Sequence, residues 1–195
     1  TLENFRHELR ATGLDTGLMA RLDTFFKEQG LLLKEGNMVD ASFIQANSKP
    51  KKDADKHSDL DAEWGHKGFG YSATANTDRK TKLIRRVNTT SERPHDSKQL
   101  APVLVGDEKE LFADSGYLAN RKALEKQGIQ PRIIQKRARG KKGEPTPDLP
   151  LRDKYRNKLY AKLRAPVEHV FACWKTSFKV NRVWYRGLER VNQQV

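Results

Sequence analysis

One stretch of this chain places charges where they could do chemistry. In Leu163-Arg164-Ala165-Pro166-Val167-Glu168-His169-Val170-Phe171-Ala172-Cys173-Trp174-Lys175, helical spacing puts Arg164, Glu168, Phe171 and Lys175 on one narrow stripe. Leu163, Val167, Val170 and Trp174 form a second stripe about a quarter-turn away. A carboxylate is thus held beside a core-facing surface and bracketed by two cations, which suits metal or phosphate chemistry if partner acids arrive from elsewhere. Two partners stand out. Asp is depleted inside strands, yet Asp40 sits in the strand-like run Met38-Val39-Asp40-Ala41-Ser42-Phe43-Ile44, on the face of Met38, Ser42 and Ile44. Asp114 ends a second apolar run just before Ser115-Gly116, where α/β sheets collect ligands outside the carboxyl ends of their strands. Three carboxylates suit Mg²⁺, a hard cation that takes oxygen ligands. Two such ions, about 3.5–4 Å apart, would activate the attacking oxygen of a phosphodiester cleavage and stabilise the leaving one.

Each acid also has a plainer role open to it. Asp114 or Ser115 could cap the following helix. Asp40 could close a strand end with a backbone hydrogen bond, and Glu168 could pair with Arg164 one helical turn away. Other constellations carry less. Gly65, Gly68 and Gly70 precede a strand instead of opening a helix, so they are not a dinucleotide fingerprint. His57, Asp59, Asp61, Glu63 and His66 have metal-ligand types but fit a polar loop better. His169 and Cys173 share a helix, but zinc would need ligands that the chain does not obviously offer. No nucleophile elbow or P-loop is present.

The elements that must position the three acids follow from periodicity. Residues 1–35 read as a short helical lead-in, interrupted near Gly13 to Gly17 and closed by Gly30. A strand at 38–44 is followed by a polar loop near 46–67, then by two strands, 69–77 and 82–90, joined by a turn. A short helix at 96–104, a strand at 110–114, a helix at 117–127 ended by Gly128 and a strand at 129–134 come next. A basic loop near 136–150 leads into a helical pattern from Asp153 to Phe178, where Pro166 must kink the helix or open a second one. The expectation is an α/β fold with a mixed five-stranded sheet flanked by helices: residues 1–35 form the lead-in and 36–195 the main domain, with flexible loops near 46–67 and 136–150.

Composition narrows the partners. Of 195 residues, 38 are Lys or Arg and 25 are Asp or Glu, a net charge of +13 and a pI near 9.9. That surplus favours a polyanion, nucleic acid before an anionic membrane surface. No apolar run approaches the roughly 18 residues of a membrane span. The single cysteine, Cys173, rules out an internal disulfide and fits a reducing compartment. The chain begins at Thr1 without a methionine and reads as a piece of a longer protein.

Together these motifs resemble the catalytic domain of DDE transposases from bacterial insertion sequences, in the insertion sequence 5 group. The resemblance rests on Gly36-Asn37-Met38-Val39-Asp40-Ala41-Ser42-Phe43-Ile44, Phe69-Gly70-Tyr71, Val87-Asn88-Thr89-Thr90 with His95-Asp96, and Phe112-Ala113-Asp114-Ser115-Gly116-Tyr117. It continues in Arg164-Ala165-Pro166-Val167-Glu168-His169-Val170-Phe171, where an Arg stands four residues before the Glu and Lys175 seven after it. It implies a ribonuclease-H-like fold with Asp40, Asp114 and Glu168 as catalytic residues and metal ligands. It implies Mg²⁺ or Mn²⁺, two ions, supporting cleavage at transposon ends and attack of the freed 3′-hydroxyl on target DNA. Arg164 and Lys175 would contact phosphate near the cut, and Arg137, Arg139, Lys141 and Lys142 would add backbone affinity. The implied partners are double-stranded DNA, as terminal inverted repeats and target, and a second copy in a synaptic complex, with no membrane. The implied setting is the bacterial cytoplasm, at the nucleoid. The chain departs from the signature at Ala161, where a Tyr is usual and Tyr160 stands next to it, at Ser72 for Lys and at Thr74 for His. The family's N-terminal region is expected before Thr1, and the C-terminus reads as clipped. A non-catalytic DNA-binding remnant and a general nuclease of the same fold are the competing functions.

Overall fold

The run Phe69-Gly70-Tyr71-Ser72-Ala73-Thr74-Ala75-Asn76-Thr77-Asp78 is buried at every position, so both of its faces must be covered. It forms strand β3 (Phe69–Asp78) of a computed structural model that describes residues 1–32, 36–48, 59–138 and 146–195. Strand β1 (Asn37–Gln45) pairs antiparallel along one side of β3, with Asp40 opposite Ala75. On the other side lie β4 (Ile84–Ser91) and the two-residue β2 (Glu63–Trp64), both antiparallel. Beyond β1 the sheet continues in parallel through β5 (Glu110–Ala113) and β6 (Gln130–Ile133). Among the described residues the result is a mixed sheet of six strands, where five were expected. The extra strand, β2, falls within the span read as a polar loop, because two residues are too few to show a periodicity.

Alternation along the strands sorts side chains into two layers. Met38, Ile44, Tyr71, Ala73, Ala75 and Phe112 face one core, completed by Tyr160, Val167, Phe171 and Trp174. Those last four come from α5 (Leu151–Arg164) and α6 (Pro166–Thr176). Val39, Leu111, Ala113 and Ile133 face the opposite core with Leu100, Val103, Tyr117 and Leu124. There the cover is α3 (Leu100–Val103) and α4 (Arg121–Lys126), each continuing a 3₁₀ turn, Asp96–Gln99 and Ser115–Asn120 respectively. On the polar face of β3, Asn76 is satisfied inside this second layer: it donates to the Val103 carbonyl at 2.9 Å and to Glu108 at 2.8 Å, and accepts from Asn37 at 2.8 Å.

The helical lead-in is α1 (Leu2–Ala11) and α2 (Leu14–Glu28). Buried Arg85 on β4 anchors α2, donating to Asp23 at 2.8 Å and to Asp107 at 3.1 Å. The helical pattern expected from 153 to 178 is divided at Ala165, and of the two outcomes expected at Pro166 the second holds: it takes the first turn of a new helix, α6, where its missing N–H costs nothing. A last helix, α7 (Leu188–Gln194), has no counterpart in the sequence expectation. The loop acids explain its seat: Asp61 accepts from the Leu188 N–H at 2.8 Å, and buried Asp59 accepts from the Gly187 N–H at 3.2 Å and the Tyr71 hydroxyl at 2.7 Å. Asp59 and Asp61 therefore anchor α7, Asp59 from a buried position and Asp61 from an exposed one. Among the described residues no helix is long and apolar enough to cross a membrane.

Candidate active site

The parallel pairing of β1 with β5 stops at Val39 and Ala113, so the next residue on each strand is an aspartate. Asp40 and Asp114 are thereby set side by side where the sheet opens, and the charge of Asp114 acts on the Asp40 carboxyl. Asp40 is largely enclosed. Burial raises its carboxyl above the ordinary value, Arg164 and the Ala41 N–H pull it back, and Asp114 pushes it up again. Asp114 lies just past β5, where its Oδ1 accepts from the Gly116 N–H at 2.7 Å. The helix-capping role and the place beside Asp40 coexist in one side chain. Asp40 lies inside β1, not at the strand end offered as its plainer role, and its Oδ1 accepts from the Ala41 N–H at 3.0 Å.

Glu168 reaches this pair only through a cation. Arg164, at the end of α5, donates to Asp40 Oδ2 in a short contact and stands 3.7 Å from Glu168 Oε1. Its own side chain is 16% exposed, whereas that of Glu168 is 70% exposed. The stripe read from the sequence is present but divided. Phe171 turns into the core with Val167, Val170 and Trp174, and Glu168 faces outward. Among the described residues no three of His, Cys, Asp and Glu are grouped so as to hold a metal. Strand register brings Asp40 and Asp114 next to one another, and the Arg164 guanidinium stands between Asp40 and Glu168.

The donor type, though not a complete donor set, is the one a hard divalent ion takes. Asp40 and Asp114 offer carboxylate oxygens, their like charges crowd one another in a partly enclosed place, and a cation relieves that repulsion. The open groove of about 460 Å³ lined by Phe112, Arg132, Arg152, Arg156 and Tyr160 lies elsewhere, on the α5 side of β5 and β6, and none of the three acids lines it.

A family comparison decides what kind of domain carries this arrangement: a model described as the transposase DDE domain matches residues 32–195. The chain belongs to that family. No solved structure matches the chain. The match takes in every strand of the sheet and helices α3 to α7, so the two lead-in helices are the part outside it.

In this transposase DDE domain the cations chosen from the sequence fall in three settings. Lys175, near the end of α6, is partly buried and titrates below the usual lysine value, first through burial and then through the neighbouring Lys67. Arg137 is exposed and pairs with Asp148 at 3.1 Å. Arg139, Lys141 and Lys142 lie outside the described residues. Three further groups escaped the sequence reading. Lys67 belongs to a stretch read as a polar loop, and only the fold brings it to Lys175. Asp96 and Tyr117 sit on two 3₁₀ turns tied together by Asn120, which donates to the Ser97 carbonyl at 2.9 Å. His95-Asp96 and Gly116-Tyr117 lay within the motifs that carried the resemblance, which was the one available signal.

Proposed function

We propose that this domain is the catalytic part of an insertion-sequence transposase of the insertion sequence 5 group, built on a ribonuclease-H-like fold. It cleaves a phosphodiester at the transposon end and directs the freed 3′-hydroxyl onto target DNA. The observation that carries this reading is the register of β1 against β5, which puts Asp40 beside Asp114 at the open end of the sheet, with Arg164 joining Asp40 to Glu168. The order of the five longer strands, with an antiparallel β4-β3-β1 half and parallel β5 and β6, supports the fold assignment.

Asp40, Asp114 and Glu168 would hold Mg²⁺ or Mn²⁺. When bound, the ions would supply a polarised oxygen nucleophile and charge neutralisation at the scissile phosphate. The protein's own residues do the rest. Asp40 and Asp114 are fixed by strand register and by backbone donors, so their oxygens need little reorganisation. Arg164 already faces two carboxylates and can pass to a phosphate oxygen with the same planar donors. Lys175, partly desolvated and beside the charge of Lys67, gains from an anion placed near the two. Double-stranded DNA, as terminal repeats and as target, is the partner that the +13 charge suits, with a second copy of the chain in the synaptic complex.

The test uses the purified chain, a labelled terminal-repeat duplex and Mg²⁺ or Mn²⁺. Nicking at the repeat end is expected, with no product from Asp40→Asn or Glu168→Gln. Binding that no metal alters, without a nick under any condition, would show a non-catalytic DNA-binding remnant. Equal cutting of unrelated duplex would show a general nuclease.

A further inference from the structure

Two arginines one turn apart on α5, Arg152 and Arg156, line the groove of about 460 Å³ that this helix forms with β5 and β6, and Arg132 of β6 meets them there. The floor is aromatic. Tyr160, only 6% exposed, packs edge-on against buried Phe112 with ring centres 6.2 Å apart, which fixes where its hydroxyl stands. Arg132 Nη1 donates to that hydroxyl at 3.5 Å, and Arg156, one helical turn before Tyr160, donates to it as well. Burial alone would raise the phenol, but the two guanidinium groups outweigh it and hold it below the ordinary tyrosine value. Among the described residues no acceptor stands opposite the phenol's own proton. A buried hydroxyl whose neighbours are all donors is matched to an anion.

Charge and shape extend the same argument. A second hollow of about 360 Å³ shares Arg132, Arg156 and Tyr160 and continues past the edge strand β6 to Arg121 on α4. Carboxylates accompany three of these arginines: Glu110 at 2.7 Å from Arg132, Asp153 at 3.6 Å from Arg156 and Glu125 at 3.9 Å from Arg121. Such solvent-facing pairs are worth little, so a phosphate displaces them at small cost and gains planar, charge-assisted donors. Exposed Arg152 has no carboxylate partner among the described residues, which leaves the trough with a positive surplus. Its far end is lined by Leu163, the residue before the Arg164 that donates to Asp40. From Arg156 to Arg164 is eight residues of α5, about 12 Å along the helix. That distance spans about three to four base-pair steps of duplex.

We propose that this trough is a second DNA-backbone site, in which Arg132, Arg156 and the Tyr160 hydroxyl hold a phosphate about three to four steps from the one at Asp40 and Asp114. It rests on the transposase reading for the place of the cut, whereas its match to a phosphate backbone comes from its own donors. A strand lying along α5 would thus be gripped at both ends of the helix, by Arg164 beside the acids and by the arginine trough at the other.

The test measures duplex affinity against salt with the full chain. It repeats the measurement on terminal-repeat duplexes in which one phosphate at a time is a neutral methylphosphonate. Replacing Arg132 and Arg156 together by Gln should lower the salt slope by about 1.8, two contacts at about 0.9 each, on terminal-repeat and unrelated duplex alike. For the parent, a methylphosphonate about three to four steps from the cut should weaken binding. The double variant should be indifferent to that replacement, yet still respond to one at the cut. Tyr160→Phe keeps the ring against Phe112 and should lose part of the response at the same position, with thermal unfolding unchanged. A packing role would not move this position-specific response. If the double variant and Tyr160→Phe bind every duplex with parental affinity and slope, the proposal is overturned, whether or not the chain nicks. A slope that falls without any position-specific loss overturns the placement of the trough relative to the cut. Should the double variant unfold, parental binding by both Arg152→Gln and Tyr160→Phe is enough to refute the trough. A parent that never nicks, while the slope falls as expected, sinks the transposase reading and leaves the backbone site standing.

Discussion

Asp40 is held in a place that suits its chemistry better than its stability. Burial and the charge of Asp114 raise its carboxyl, and the pull of Arg164 and the Ala41 N–H does not fully offset them. A carboxyl raised in the folded state contributes stability that is fully present below its unfolded value of 3.8 and is lost as pH rises through the folded one. At neutral pH the ionised Asp40 is therefore a net cost to the fold. Asp40→Asn should abolish nicking yet leave Tm unchanged or higher by a few degrees in scanning calorimetry. Arg164→Gln is the contrasting case. It leaves a mostly enclosed carboxylate without its cation, so Tm should drop along with activity. If both variants lowered Tm equally, the electrostatic account of Asp40 would be wrong.

At the scale of elements, the lead-in helices are held by charge as much as by packing. Arg85 on β4 and Lys27 on α2 share Asp23 and Asp107, with Lys27 at 2.6 and 2.9 Å from the two carboxylates. Burial alone would raise Asp107, but its bonds to Arg85 and Lys27 outweigh that and hold it at about 2; Asp23 is lowered for the same reasons. Carboxyls depressed in this way stabilise the fold above their unfolded value of 3.8, and that support disappears as pH falls through the folded values. Amide exchange in α2 should accelerate between pH 4 and pH 2 before the sheet amides respond. Arg85→Met at neutral pH should cost about 3–5 kcal/mol, at the lower end because Asp107 is partly exposed. A cost near zero would mean that apolar contacts alone dock α2.

For the whole molecule, the excess of 38 basic over 25 acidic residues sets how it meets DNA. Binding to duplex should weaken linearly in log salt, and each phosphate contact removed should reduce the slope by about 0.9. Replacing both Lys67 and Lys175 by Gln should flatten the slope by roughly two contacts, equally for terminal-repeat and unrelated duplex, because such cations position the backbone and read no bases. A slope that does not change would take these two lysines out of the DNA interface.

Local chemistry made much of this legible in the chain. The spacing of Arg164, Glu168 and Lys175, the Asp in an apolar strand at 40 and the Asp before Ser115-Gly116 are properties of a few neighbouring residues, so periodicity and residue type suffice to pick them out. The long strands and the break at Pro166 are local in the same sense. Tertiary structure alone decided what depends on distant segments meeting. It paired β1 with β5 in the register that sets Asp40 beside Asp114, and it placed Arg164 between Asp40 and Glu168. It seated α7 on Asp59 and Asp61 across more than a hundred residues. None of these follows from spacing, because each depends on strand register and layer packing, which only the folded chain supplies.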